Sequence, residues 1–462
     1  MSTLKRSRRR ELVLTPSFAK VIKAKISNAI GKSKANLKPS AGSTGRSSSS
    51  VSRGSKPSLI SKRTIVDPPH SHHVRSPSHN STGTLTGSHR MRPVRTNPYY
   101  RPHPIHFLPP EVLAHIFHLG SCDPSEHGVL FPLRMSHVCG AWRDLALSTH
   151  TLWQHITPDL RHKLWKQYIR RSAACLIDVS LTRPSSIPTY NNQNNVNAHL
   201  VPPFDANNVQ WYMGLVAPHI RRWRSLTIKF DQYSPFLWNA ALSPCCASGG
   251  VSSTSVQAWN LEELTLLYPR NDDTKEFLLF GGIAPRLTRA TIAGLHLDWS
   301  PGLFSNLVYL DYCHHGFTSG WESVAEVLNM LDVSRKLREL RITFPSSAAP
   351  MGGGGWDYYP TTFPLQHVGM PYLQCLTVCA KYDIPLEMST IFGYLHIPAL
   401  RMLRLRDGGR ARRVFSGLKG FSRSLRRPRT LEVVDMEYGW CEKRFVGTFD
   451  QVRTVIVNGV YC

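Results

Sequence analysis

Two segments carry the most regular helical pattern of the chain: LPPEVLAHIFHLG at residues 108–120 and FPLRMSHVCGAWRDLALSTHTLW at residues 131–153. Pro109 and Glu111 are typical of a helix start, because proline fits the first turn and an acid favours the helix N-terminus. Gly120 is a typical helix stop. Between them the apolar residues recur at helical spacing. They are Val112, Leu113, Ile116 and Phe117.

A second helix is predicted over residues 135–147. Its apolar face consists of Val138, Trp142, Leu145 and Ala146. Two helices this short bury little surface between them, and a core of that size usually needs further support. The sequence therefore predicts a small helical module that is stabilised by another element or by a partner.

The same residues resemble the F-box, whose pattern is Leu-Pro-x-Glu, an apolar helix, Val-Cys-x-x-Trp-Arg and a closing Leu-Trp. The matching positions are Leu108–Glu111, Val138–Arg143 and Leu152–Trp153. One departure is the insert Ser121–Leu130, which is longer and more polar than the usual link after the first helix. An ordinary helical hairpin within a larger domain is the alternative interpretation.

The resemblance implies a substrate receptor of a Skp-cullin-F-box ubiquitin ligase. Such a receptor binds a Skp-type adaptor, and through it a cullin, and holds an unknown target protein. It is not an enzyme, and it needs neither a cofactor nor a metal. The positions that match the family are expected to bind the adaptor. They are Leu108, Pro109, Pro110, Val112, Leu113, Ile116, Val138, Cys139, Trp142 and Leu145.

The basic charge of the chain is concentrated at one end. Residues 1–100 hold 20 Lys and Arg against two acids, a net charge of +18 out of +26 for all 462 residues. This stretch is rich in Ser, Pro and His and poor in aromatic residues, so it is predicted to be disordered. Its run Lys5–Arg10 fits a nuclear import signal, a nucleic-acid patch or a solvated charge run. Residues 18–30 fit a weak amphipathic helix or part of a mitochondrial presequence.

The ten cysteines are scattered, with no Cys-x-x-Cys and no preceding secretory signal. This pattern favours free thiols in a reducing compartment. No apolar run approaches the length of a membrane span. We therefore expect the protein in the nucleus, the cytoplasm or both.

From Trp223 onward a motif of the form L-x-x-L-x-L recurs at irregular intervals, and it is similar to leucine-rich repeats. The last two apolar positions of each copy are two residues apart, so on a strand they point to the same face. The copies begin at Trp223, Leu261, Leu287, Leu307, Leu337, Leu373, Leu400 and Leu431. Stacked strand–helix units would bury one continuous core. A chance pattern in a leucine-rich α/β domain is the alternative.

These observations predict an α+β chain in four parts. A disordered basic tail (1–103) precedes the F-box-like helical module (104–156). A connecting helix and polar loop (157–215) then lead to an irregular α/β solenoid of leucine-rich-repeat type (216–462).

In such a solenoid the residues between the buried positions line one surface. Arg341, Arg404 and Arg406 would then share a face, with the strand of Thr377 between them. Arginine pairs well with carboxylate or phosphate, so these three residues predict a target with an acidic or phosphorylated segment. Three solvated arginines at an edge are the alternative.

No phosphate loop, nucleophile elbow, His-Glu-x-x-His or kinase signature is present. His115 and His118 lie three apart on the first predicted helix, as a metal pair would, but no Cys or acid cluster completes the ligand set. Cys375 and Cys379 read as ordinary strand residues. Two rival functions remain: nucleic-acid binding through the basic tail, and an enzyme of unknown class.

Overall fold

The computed structural model describes residues 104–123, 126–158, 161–182, 204–246, 256–344, 365–381, 383–409, 414–425 and 428–461. All of them belong to one compact unit, residues 96–462. The predictions about the basic tail, including its disorder, its import signal and its amphipathic helix, lie outside the described residues.

Four helices form the first part of this unit. They are α1 (Pro110–Ser121), α2 (Glu126–Val129), α3 (Phe131–Met135) and α4 (Gly140–Ser148). As the sequence predicts, α1 begins with proline and carries Glu111 in its first turn. Its buried residues Leu113 and Phe117 lie four apart, which places them on one face.

The prediction of one continuous helix over residues 135–147 is wrong. The backbone leaves the helix after Met135, and Cys139 is extended (φ −156°, ψ 173°) where α4 begins. The amides of His137 and Val138 close a turn on Arg134 and Met135. Val138 lies in this break but still fits the apolar spacing of a continuous helix, so periodicity alone could not reveal the break.

Within the described ranges, fourteen strands follow the first helices. They are β1 (His155–Ile156), β2 (Ile177–Thr182), β3 (Trp223–Lys229), β4 (Glu263–Leu267), β5 (Arg289–Ala293), β6 (Tyr309–Cys313), β7 (Glu339–Thr343), β8 (Val368–Gly369), β9 (Cys375–Ala380), β10 (Leu395–His396), β11 (Met402–Asp407), β12 (Val433–Met436), β13 (Thr454–Val457) and β14 (Val460–Tyr461). Strands β8 and β10 form a separate parallel pair. The other twelve form one sheet in chain order.

Every neighbouring pair in this sheet is parallel except β13 with β14. Parallel neighbours require a crossover between strands, and helices supply several of these crossovers. They are α5 (His162–Arg171), α6 (Ala206–Val216), α7 (Leu237–Leu242), α8 (Pro301–Phe304), α9 (Gly320–Val333), α10 (Leu386–Tyr394), α11 (Leu418–Ser424) and α12 (Lys443–Val446). Of the predicted helical module followed by an α/β solenoid, the structure confirms helices followed by an α/β arrangement with a mostly parallel sheet.

Each of the eight L-x-x-L-x-L motifs coincides with a strand. In β4, for example, Leu264 and Leu266 point inward and are buried, whereas Glu263 before them and Thr265 between them face outward. The same pair of positions is buried in every copy. These pairs join one hydrophobic core with the buried residues of the helices. At roughly 25 cal/mol per Å² of buried apolar surface, this core is the main source of stability.

Trp153 connects the helical module to the sheet. Its side chain is completely buried, and its indole N–H donates to the carbonyl of Ala146 in α4 (2.8 Å). Its ring meets Tyr168 of α5 edge-on at 4.8 Å, and the guanidinium of Arg171 lies 4.4 Å from the ring centroid. The Tyr168 hydroxyl in turn donates to the carbonyl of Val129 (3.0 Å). The module is therefore supported by its own chain.

We predict that Trp153→Ala lowers the free energy of unfolding by about 3–5 kcal/mol, the usual range for truncating a buried aromatic residue. Urea denaturation of the full chain measures this change. The matched control is Trp259→Ala, because that ring is 47% exposed and its N–H bonds only to the Gln257 side chain. Equal losses in the two variants would contradict a role for Trp153 at the junction.

Candidate functional site

An apolar row runs along the exposed side of α1. Val112, Ile116 and Leu119 lie at i, i+4 and i+7, which places them in one row along the helix, and between 40 and 61% of each is exposed. Leu108 extends the row by one turn before the helix, and Val138 from the turn before α4 is also exposed. We call these five residues the α1 outer face.

The opposite side of α1 explains why this row remains outside. Leu113 and Phe117 fill the small core of the module. The ring of Phe117 packs edge-on against Trp142 at 5.0 Å and against Phe131 at 6.3 Å. Since one side of the helix already meets these rings, the row on the other side has no partner among the described residues.

The predicted adaptor-binding residues therefore divide into two groups. Leu108, Pro109, Pro110, Val112, Ile116 and Val138 are exposed. Cys139, Trp142 and Leu145 are half-buried, and Leu113 is buried, so the structure gives Leu113 a packing role.

Sequence reasoning missed two exposed apolar residues, Phe107 and Leu119. The spacing of Leu119 from Val112 and Ile116 was a signal that could have found it. Phe107 lies before the helix, in a short 3-10 turn at Pro104–Phe107, where helical spacing gives no guide.

The three predicted arginines lie on the outer face of the sheet. Arg341 of β7 is in register with Thr377 of β9, which is in register with Arg404 of β11. Two strand spacings of roughly 4.8 Å therefore separate Arg341 from Arg404, as predicted. Thr377 is only 6% exposed although it faces outward, which fits cover by the long side chains on either side.

Each arginine already has a carboxylate partner. Arg341 lies 3.8 Å from Asp311. Arg404 lies 3.9 Å from Glu339. Arg406 is held more closely, at 2.6 Å from Asp435 and 3.1 Å from Glu437. The surface is thus of mixed charge.

A cluster of histidines lies at the carboxyl ends of the central strands. His315 follows β6, and its Nε2 lies 2.8 Å from a carboxylate oxygen of Glu326 in α9. His296, from the segment after β5, packs against His315 with 4.8 Å between the ring centroids and 46° between the ring planes. His296, His315 and Glu326 are close enough together to be considered as metal ligands.

The hydrogen bonds of this cluster do not favour a metal. The backbone N–H of Phe317 donates to Nδ1 of His315 (3.0 Å), so Nδ1 is an acceptor and the neutral ring carries its proton on Nε2. That proton is directed at Glu326. A metal on Nε2 would move the proton to Nδ1, where it would face the Phe317 N–H. The histidine–glutamate pair therefore reads as a structural hydrogen bond.

His314 is arranged in the same way. The Gly316 N–H donates to its Nδ1 (3.1 Å), while its Nε2 lies 3.0 Å from the Ser323 hydroxyl and 3.7 Å from Glu326. Burial lowers the pKa of His314 by more than the nearby Glu326 carboxylate raises it. Burial alone would raise the pKa of Glu326, but hydrogen bonds from His314 and His315 outweigh it and hold that pKa well below its ordinary value.

An exposed apolar face on a small helical module commonly marks an interaction site. The family model described as F-box-like matches residues 105–159, which is the helical module and its junction. The chain therefore contains an F-box-like domain at these residues. No curated protein matches it significantly. Among the described residues, no helix is long and apolar enough to cross a membrane.

We predict that acidification from pH 7.5 to 5.5 destabilises the fold. An unfolded histidine titrates near pH 6.5, whereas burial lowers the pKa of folded His314, so as the pH falls the unfolded state takes up more proton than the folded state. One such group contributes at most roughly 1 kcal/mol over this window. The stability contributed by Glu326 is fully present above its ordinary pKa and is lost only at lower pH.

Urea midpoints at the two pH values measure this loss. Since burial also lowers the pKa of His155 and of His219, the His314→Gln variant isolates the contribution of His314. It should be less stable than the wild type at pH 7.5 and should lose less stability on acidification. An undiminished loss in His314→Gln would show that other histidines cause it.

Proposed function

We propose that the protein is the substrate-recognition subunit of a Skp-cullin-F-box ubiquitin ligase. The observation that carries this proposal is the α1 outer face. It is a row of exposed apolar residues on the very segment that matches the F-box-like family. The adaptor docks on this row, and the adaptor links the protein to a cullin.

The apolar character of the row supports docking. Contiguous exposed apolar surface on a folded protein commonly marks an interaction site. In interfaces a few large side chains at the centre supply most of the binding energy. Ile116 and Val112 are central in the row, so they are the residues on which adaptor affinity depends most.

The second part of the proposal concerns the sheet. We propose that its parallel strands form an irregular leucine-rich-repeat-like solenoid, whose outer face receives the target. Twelve strands in chain order and the buried pair in each repeat support this interpretation. A stacked array of this kind presents an extended surface that suits protein recognition.

Arg341 and Arg404 are the proposed contacts for an acidic or phosphorylated segment of the target. Their carboxylate partners are 3.8 and 3.9 Å away, and side-chain exposures are 50 and 36%. Solvent-exposed ion pairs contribute little to stability, typically about 0–1 kcal/mol, so a target carboxylate or phosphate can compete for these guanidiniums. Arg406, which two carboxylates hold, is the least available of the three.

In this role the protein carries no chemistry of its own. It holds the target near a ubiquitin-loaded partner enzyme and raises the effective concentration of target lysines. We further propose that it acts in the nucleus, the cytoplasm or both, with the basic residues 1–100 directing its location.

We predict that Val112→Asp with Ile116→Asp reduces co-purification of the Skp-type adaptor at least tenfold. A carboxylate at an apolar contact must lose its water without gaining a partner. Both positions are exposed, so the thermal midpoint should shift by less than roughly 2 °C. Quantitative pull-down of the tagged full chain measures binding.

The matched control introduces two aspartates at exposed apolar positions far from the module, Leu386→Asp with Val414→Asp. This control should retain the adaptor. Full co-purification with the Val112 and Ile116 variant would reject docking through the α1 outer face.

We also predict that Arg341→Glu with Arg404→Glu abolishes target capture and leaves adaptor binding intact. The change reverses two cations on one surface and so repels an acidic segment. Quantitative mass spectrometry of co-purified proteins measures both outcomes. The control Arg341→Lys with Arg404→Lys keeps the charge and should retain part of the capture. An unchanged set of captured proteins in the Glu variant would show that this surface is not the receptor site.

A further inference from the structure

Helix α5 carries an unbalanced positive face. Residues 161–177 contain five Lys and Arg and no acid. Lys163, Lys166 and Arg170 are spaced three and four apart, so they share one side of the helix. The opposite side is buried through Trp165, Tyr168 and Ile169. The three cations therefore form a row about 10 Å long on the exposed side.

Among the described residues, these cations differ from the arginines of the sheet in their pairing. Among the described residues, no carboxylate lies within ion-pair distance of Lys163, Lys166 or Arg170, in contrast to the arginines of the sheet. A row of unpaired cations favours the approach of an acidic ligand.

A groove runs beside this row, between α5 and the segment made of α6 and the 3-10 turn that follows it. Its volume is about 520 Å³. It is lined by Lys166, Ile169, Trp211, Gly214, Leu215, Pro218 and His219. We call it the α5–α6 groove. Lys166, the middle cation of the row, lines the groove on the α5 side, and the opposite wall is mainly apolar.

Trp211 is the main apolar feature of the groove. Its ring is 45% exposed and is held by edge contacts with His162 (5.4 Å) and Tyr212 (5.4 Å). Gly214 follows one turn later, and a Cβ there would meet no atom within 4 Å, so the floor beside the indole is open. A partly exposed, fixed tryptophan is the kind of anchor on which interface energy concentrates.

We propose that the α5–α6 groove binds an acidic segment of a partner protein that carries one large apolar side chain. Aspartates or glutamates of the segment pair with Lys163, Lys166 and Arg170, and the apolar side chain packs on Trp211. This groove is separate from both the α1 outer face and the outer face of the sheet, so the inference does not depend on the proposed function.

Two other occupants fit less well. The basic residues 1–100 share the sign of the groove and are repelled by it. Single-stranded nucleic acid is usually held by several aromatic residues that stack successive bases along a cationic track. Here a single exposed indole lines the groove, and the cation row spans only about 10 Å. A short acidic peptide matches these dimensions better.

Fluorescence anisotropy of the full chain tests the proposal. The probe is a labelled peptide with four glutamates flanking one phenylalanine. We expect binding that weakens with salt. We expect at least a tenfold loss of affinity when the glutamates are replaced by glutamines, and a smaller loss when the phenylalanine is replaced by alanine.

The deciding variant is Lys163→Glu with Lys166→Glu and Arg170→Glu, which should lose at least tenfold in affinity. Its matched control makes the same change of charge on exposed cations of α11 and α12, Lys419→Glu with Arg423→Glu and Lys443→Glu. Because residues 1–100 attract any acidic peptide, only the difference between these variants counts. Equal losses in the two variants would overturn the proposal.

Two further outcomes remove ambiguity. Gln167→Lys adds a fourth cation to the row at an exposed position, so affinity for the peptide should rise, and a rise is not explained by misfolding. Trp211→Ala should weaken binding of the phenylalanine peptide more than binding of its alanine version.

A labelled oligothymidylate tests the alternative occupant. If it binds the full chain more tightly than the peptide and the triple α5 variant loses that binding, the occupant is nucleic acid and the proposal is wrong.

Discussion

The burial of Trp153 is the constraint on which the rest of the structure depends. Its indole N–H donates a hydrogen bond to the Ala146 carbonyl in α4, and its ring packs on Tyr168 of α5. Two residues later β1 begins and pairs with β2 at the first edge of the sheet. One side chain thus joins a helical module that is too small to be stable alone to a core many times larger.

A fixed junction would have a functional consequence for the receptor role proposed above. A docking module on a flexible tether would let the bound target sample a large volume, and the effective concentration of its lysines would be low. Here the module, α5 and the first strands share one core. A target on the sheet would therefore be held at a defined distance from the adaptor, and this geometry suits transfer by a partner enzyme.

Local repetition made much of this fold predictable. Buried pairs such as Leu264 and Leu266 recur because each strand packs one face against the same core, so eight strands could be predicted from the sequence. The break at Cys139 could not, because the apolar spacing of Val138 continues across it. Strands β1 and β2 were also harder to place in the sheet, since neither carries the full motif.

The candidate sites were predictable to different degrees. The register of Arg341, Thr377 and Arg404 follows from strand periodicity alone, and the structure confirms it. Their pairing with Asp311 and Glu339 depends on residues about 30 and 65 positions away, which no local pattern relates. The burial of Leu113 and the exposure of Ile116 likewise depend on a contact between different helices, the packing of Phe117 against Trp142.

Hydrogen exchange of the full chain, with and without a purified Skp-type adaptor, tests the central claim most directly. Docking through the α1 outer face predicts slower exchange of amides in α1 and in the turn around Val138 when the adaptor is present. Amides of β6 to β11 should exchange at the same rate in both samples. Protection confined to the sheet, or no protection in α1 at a saturating concentration of adaptor, would contradict the account.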